Sequence, residues 1–343
     1  MIDSLDNSFE FSYNFLDPIM HSDFLDDQLF KDLIKTTAFR RLHHIRFLGA
    51  IDYFLVSSPN GIERNRRYTR FQHSLGVARL AFLYSHIKGL SQKYRRLACV
   101  AALLHDIGHS PFSHTMEPIF EDKFGFNHHF AAKLILTGSI GIGIELRDIL
   151  DMHKVDIEEL IAIIQGGEDP FDGFFSGPIN FDTVEGILRS KMYIKGNSMI
   201  LSPIEVVKAA IFRSNLRDRD AVDNFWRHKH EVYKHIIRSG FGVSVDYAFQ
   251  NAMRTAWNNI DRYDFFSTEK RIFRKIPELR RIVRNGLRKS AENRSNTVKI
   301  PYKIRDFYVN DQGSFFARDD RNRYRQSKRD GVLAVQPLKA MVL

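Results

Sequence analysis

The longest unbroken apolar run in the chain, Leu97 to Leu104, stops directly on His105-Asp106. No other feature narrows the fold as much. Eight apolar residues fall far short of the roughly 20 that cross a bilayer, so the run belongs to a core helix. The helix is expected over Lys93–Leu104, and Gly108 and Pro111 favour its ending where the polar pair begins. A helix apolar on every side must be surrounded by others. Ser74–Ile87 supplies one neighbour, with Leu75, Val77, Leu80, Ala81 and Tyr84 at helical spacing and Ser74 as the expected cap. Packed antiparallel to Lys93–Leu104, it would bring His73 beside His105.

Further helical periodicity covers 29–39, 127–137, 156–164, 181–190, 203–214, 219–239 and 243–260. Alternating patterns are confined to Ile51–Ser57 and Val298–Tyr308, read as strands and candidate hairpin arms. Gly/Pro-bearing stretches at 57–61, 166–178 and 240–242 punctuate the helices. The expectation is a mainly α fold, a helical core with a small mixed, basic C-terminal part. With 343 residues, 43% hydrophobic and 29 of them Phe, the chain can fill a large core, which excludes disorder throughout. Its N-terminus lacks a basic start and an apolar stretch. Cys99, the single cysteine, lies in the apolar run and reads as a buried thiol. A cytoplasmic protein without membrane association is expected.

Charge divides the chain. Residues 262–330 hold 20 Lys/Arg against 9 Asp/Glu, a surplus of 11, whereas the net charge of the whole is +10. This sets the expected boundary between a core over 1–261 and a basic region over 262–343. Such a region suits a polyanion, and single-stranded nucleic acid is the candidate partner, with interleaved aromatics able to stack on bases. A solvated surface whose aromatics anchor it to the core is the alternative.

The chemistry gathers after the core helix. His105, His109, His114, His128 and His129 follow one another there, with Asp106 beside the first. Imidazole mixed with carboxylate suits Mn, Fe, Ni, Co or Zn, and the carboxylates also suit Mg. One divalent ion is expected, held by His73, His105, Asp106 and a ligand from far along the chain. Asp182, at a helix entrance after the 166–178 loop, is the candidate.

Three segments carry a resemblance: TRFQHSLGVARLA (69–81), ALLHDIGHSPFSHTME (102–117) and NFDTVEGILR (180–189), after a lead-in over 17–50. Together they resemble the HD-domain metal-dependent phosphohydrolases, most closely the deoxynucleoside triphosphate triphosphohydrolase branch. The resemblance implies metal ligation by His73, His105, Asp106 and Asp182. It implies catalytic roles for His114 with Glu117, for His109 and for His128, and it makes Arg70 and Arg189 substrate-binding residues. It also implies a nucleotide substrate, with a dNTP cleaved to deoxynucleoside and tripolyphosphate, and a homo-oligomer.

The last segment departs from that branch. Its pattern has Lys, Tyr and Asp where this chain has Thr183, Gly186 and Ser190. Loss of a tyrosine at 186 implies a more open pocket. Another phosphodiester, a nuclease or nucleotidase substrate, or a nucleotide-binding regulator are therefore the alternative readings. The Lys and GYP motif of the cyclic-dinucleotide phosphodiesterases do not occur.

Overall fold

The computed structural model describes residues 26–54, 68–167, 169–191, 201–285, 298–316 and 322–335. The fold is mainly α. Helices α1 (Gln28–Lys35) and α2 (Thr37–Arg40) are split by Thr36, whose backbone is extended and whose hydroxyl caps α2 at Phe39 N, 3.2 Å. The periodicity over 29–39 had implied one helix. A threonine able to bond its own backbone ends the first and starts the second.

Helix α3 (Arg70–Ile87) starts four residues before the expected Ser74. Thr69 and Gln72 form a capping box, the Thr69 hydroxyl accepting from Gln72 N and the Gln72 side chain from Thr69 N. His73 thus sits in the first turn rather than ahead of the helix. Ser74 is buried inside it. Four residues then connect to α4 (Gln92–Leu104), which lies back along α3, and Leu97–Leu104 are all buried, Cys99 among them.

Short helices α5 (Glu117–Phe124), α6 (His128–Leu136), α7 (Ile144–Met152) and α8 (Ile157–Ile164) follow. The stretch after α8 is an aromatic plug. Phe171 and Phe174 bury against Tyr84 and Phe181, while the Asp169 carboxylate accepts from Phe175 N and Ser176 N at 2.8 and 2.9 Å. Helix α9 (Phe181–Lys191) begins there, with Asn180 Oδ1 accepting from Thr183 N at 2.7 Å.

The remaining helices are α10 (Pro203–Phe212), α11 (Leu216–Val232), α12 (Gly240–Thr255), α13 (Glu269–Lys275) and α14 (Pro277–Asn285). The continuous helices expected over 219–239 and 243–260 give way to a π-turn at Tyr233–Ile237 and a 3₁₀ turn at Trp257–Asn259. Strand β1 (Val298–Val309) pairs antiparallel with β2 (Tyr324–Val335), Val298 opposite Val335. The other expected strand is not one: Gly49–Tyr53 is a 3₁₀ helix, closed by the Asp52 carboxylate accepting from Leu48 N at 2.7 Å. Residues 55–57 of that expectation lie outside the described residues.

Described residues beyond 261 pack onto the rest of the molecule. Phe265, Ile272, Ile276 and Leu279 share a second core with Phe112, Phe120 and Phe249. The hairpin rests on α11, where Trp226 meets Phe307 and Tyr324 and Asp223 accepts from Arg323 Nε at 2.9 Å. Most aromatics of the basic region are therefore anchors, while Tyr308 and Phe316 are exposed. Among the described residues no single helix is long and apolar enough to cross a membrane.

Candidate functional site

Antiparallel packing of α3 on α4 sets the His73 and His105 rings edge to face, 5.2 Å between centroids. Each ring is held from behind. His105 Nδ1 donates to the Ala102 carbonyl at 2.8 Å, so its lone pair lies on Nε2, a buried atom without a hydrogen-bond partner among the described residues. His73 Nδ1 is bonded to the Glu185 carboxylate, which turns Nε2 the same way. His73 Nε2 lies 3.0 Å from Asp182 Oδ1 and 3.5 Å from Asp106 Oδ2. His105 Nε2 lies 3.4 Å from Asp106 Oδ1 and 3.7 Å from Asp182 Oδ1. A ring nitrogen facing two carboxylate oxygens must share a proton or a cation with them. Ligand atoms of His73, His105 and Asp106 lie within 4.8 Å of one another, Asp182 Oδ1 reaches both imidazoles, and with an orphaned Nε2 among them the set fits a divalent ion.

The electrostatics agree. Burial pushes His105 down, but Asp106 and Asp182 outweigh it and hold the imidazole at about 9. His73 is likewise raised by Glu185, Asp182 and Asp106 against the effect of burial. Asp106 is kept well below the usual carboxylate range, since Arg70 and the neighbouring histidines more than offset its burial. The carboxylates draw positive charge to this point, which a divalent ion would supply in place of the imidazole protons.

A second group adjoins the first. Gly108 makes this possible: a side chain there would run into the His128 carbonyl and the Ala132 backbone, so α6 can press onto the loop. His128 consequently stacks on His109, 4.5 Å between centroids at 6°, and His114 stands edge-on to both. Glu117 binds the Nδ1 atoms of His114, at 2.9 Å, and of His128, and also accepts from His128 N at 2.8 Å. His109 Nε2 reaches Asp106 Oδ1 at 3.1 Å and joins the two groups. Burial, with Arg70 nearby, keeps His109 well below its ordinary range and therefore neutral. One ring nitrogen each from His109, His114 and His128 comes within 4.8 Å of the others. His114 is the open member, its side chain 63% exposed.

The two arginines do not present free guanidinium groups. Arg70 donates to Asp106 at 2.6 Å and to the Ser113 hydroxyl at 3.0 Å. Arg189 donates to Glu185 at 2.8 Å and to the Gln72 carbonyl at 3.2 Å. Glu185, which the sequence reading passed over, is thus the link between Arg189 and His73. Its signal was available: Glu185 stands three residues after Asp182 and four before Arg189, one helical face.

The expectation of an opened pocket at Gly186 is corrected. A side chain there would meet the Phe47 ring and His73, because Phe47 already lies against His73, 4.6 Å between centroids. Ser190 is buried and returns its hydroxyl to the Gly186 carbonyl at 2.8 Å. A cation does come near from another element. Lys229 of α11 is buried over the rings of Trp226 and Phe307, 4.5 and 5.0 Å from their centroids. Burial lowers it to about 8, with Asp182 acting in the opposite direction.

Residues 70–164 match the family model described as HD domain. An uncharacterized protein of Methanocaldococcus jannaschii is 39% identical over 62% of this chain and 43% of its own length. An uncharacterized protein of Bacillus subtilis is 34% identical over 52% and 40%. The deoxynucleoside triphosphate triphosphohydrolase SAMHD1 of Homo sapiens is 36% identical over 39% and 22%. The chain spans about half the length of the first curated relatives it matches.

Proposed function

We propose, from the premise that residues 70–164 are an HD domain, that the chain is a metal-dependent phosphohydrolase of nucleotide phosphate esters, with a dNTP as the first substrate. The observation that carries the reading is the convergence of His73 Nε2, His105 Nε2, Asp106 and Asp182, each imidazole held from behind through Nδ1. These four would hold one divalent ion, which supplies charge neutralisation at a phosphoryl oxygen and acidifies water.

The chain's own groups do the rest. His114, oriented by Glu117 and open to solvent, moves a proton at the scissile oxygen. His128 offers a ring nitrogen to the phosphoryl oxygens, and neutral His109 stacks against it while giving its Nε2–H to Asp106. Arg70 fixes Asp106, Glu185 fixes His73, and Arg189 fixes Glu185. Lys229 offers positive charge within electrostatic reach of Asp182, where Thr183 offers none.

A phosphodiesterase or nuclease is the second reading, favoured by the exposed basic hairpin. Product analysis separates the two. Purified protein with Mn²⁺ or Mg²⁺ is given dNTPs, NTPs, cyclic nucleotides and short single strands. Tripolyphosphate supports the first reading, mononucleotides the second, and no product from any of them overturns both.

A further inference from the structure

The turn that carries His114 is strained. Phe112 and Ser113, neither a glycine, both adopt left-handed backbone, φ 61° and 49°. Such a conformation is unfavourable for a residue with a side chain and persists only where surrounding contacts over-determine it. Several of those contacts come from residues 240–275, beyond the segment that matches the HD domain, and others from residues 46–50 and Arg70. Glu269, buried at the start of α13, accepts from Phe112 N at 3.1 Å and from Arg46 N at 2.7 Å, and the Tyr53 hydroxyl donates to its other oxygen. Asp246 of α12 accepts from the Thr115 hydroxyl at 2.8 Å. Gln250, one helical turn on, donates to the Thr115 carbonyl at 2.9 Å. Gly49, itself at φ 60°, lets the lead-in pass beneath the Phe112 carbonyl, where no side chain would fit.

The same turn connects with the metal ligands. Ser113 donates to the Arg46 carbonyl at 2.8 Å and accepts from Arg70, which grips Asp106. Glu269 therefore holds, through two backbone amides, the turn that carries His114, while Asp106 keeps its own direct bond from Arg70.

We propose that Glu269 and Asp246 are positioning residues for His114: their carboxylates clamp the left-handed Phe112–Thr115 turn and so set the imidazole against Glu117. The inference rests on the reading that His114 moves a proton in the reaction. It assigns the C-terminal helices a part in the active site that the HD segment alone lacks. A glutamine at 269 keeps the oxygen that accepts both amides and turns its NH₂ toward Tyr53. An asparagine at 246 keeps the acceptor for Thr115. Alanine at either position removes the acceptor.

The test follows the His114 ring itself in the full-length protein. Its C2–H resonance is identified by its loss in His114→Ala. In Glu269→Ala and Asp246→Ala the resonance is expected to move and its midpoint to fall, because an imidazole that loses its carboxylate is less readily protonated. The exposed His86 serves as control and stays unchanged. Glu269→Gln and Asp246→Asn return the signal to its wild-type position. With dGTP and Mn²⁺, kcat falls about 10- to 100-fold in the alanine variants, short of the 10²–10⁴ expected for removing the acid or base outright. KM and bound metal stay constant. An unmoved His114 signal in both alanine variants, or a loss that glutamine and asparagine do not rescue, overturns the proposal. Should Glu269→Ala not fold, Tyr53→Phe and Asp246→Ala decide by the same signal. If His114→Ala itself retains full turnover, the reading of His114 fails instead, and the resonance still reports whether the clamp exists.

Discussion

Glu185 shows how one side chain governs a ligand it never replaces. Its carboxylate takes the Nδ1 proton of His73, fixing the tautomer that leaves Nε2 available, and Arg189 holds it in that pose. Substituting such a partner commonly weakens metal binding about 10- to 100-fold. Glu185→Ala is expected to do so for Mn²⁺ by isothermal titration, with Arg189→Ala giving a smaller loss in the same direction. Unchanged affinity in Glu185→Ala would remove it from the metal centre. His114 gives the opposite pattern. His114→Ala should retain metal and lose turnover by about 10²- to 10⁴-fold, since on the proposed function it is a proton-transfer group and not a ligand. Atomic absorption together with product formation distinguishes the two residues.

Helices α11 and α13 act on the site from outside the segment that carries its motifs. Lys229 reaches it from α11, buried over two rings. Lys229→Met keeps the packing and deletes the charge, so KM for a triphosphate should rise about tenfold, roughly the 1.4 kcal/mol of one weakened phosphate contact, with metal content unaltered. From α13, Glu269 adds a pH dependence of stability. Burial raises its carboxyl from 4.5 to about 7, despite the opposing hydrogen bonds from Tyr53, Arg46 and Phe112. The folded state therefore binds a proton more tightly than the unfolded chain. The contribution is complete below the unfolded value and is lost as pH rises toward the folded one. Across pH 4.5 to 7 this amounts to about 3 kcal/mol. Glu269→Gln cannot titrate. Its Tm relative to the wild type should rise between pH 5 and 7.5, and a constant difference would refute the assignment.

At the scale of the molecule the described part of the basic region is built in, with most cations of its hairpin turned outward. Lys299, Lys303, Arg325, Lys328 and Arg329 are exposed on the hairpin, while Phe265, Phe307, Phe315 and Tyr324 are buried beneath. Base stacking by those four rings is thereby closed off, and among the exposed rings Tyr263, Tyr308 and Phe316 remain for it. If the hairpin binds single-stranded DNA, log affinity must fall linearly with log salt, with a slope near −0.7 for each phosphate neutralised. No binding at about 50 mM salt, a condition that favours such contacts, would exclude this partner.

The sequence by itself determined the helical class, the buried run over Leu97–Leu104 and the approach of His73 to His105, because these follow from periodicity and from short connections between neighbours. It also offered four candidate ligands, through their donor chemistry and the resemblance of the three motif segments. Other features depend on pairs far apart in the chain, which local pattern does not encode. Phe47 fills the space beside Gly186, Lys229 approaches Asp182, and Glu269 bonds Phe112 across 157 positions. The same holds for the lost strand at Ile51: alternation suggested extension, but the Asp52 carboxylate and the left-handed Gly49 closed a turn instead. Only packing decided these, because a buried carboxylate or ring takes its role from what surrounds it in space.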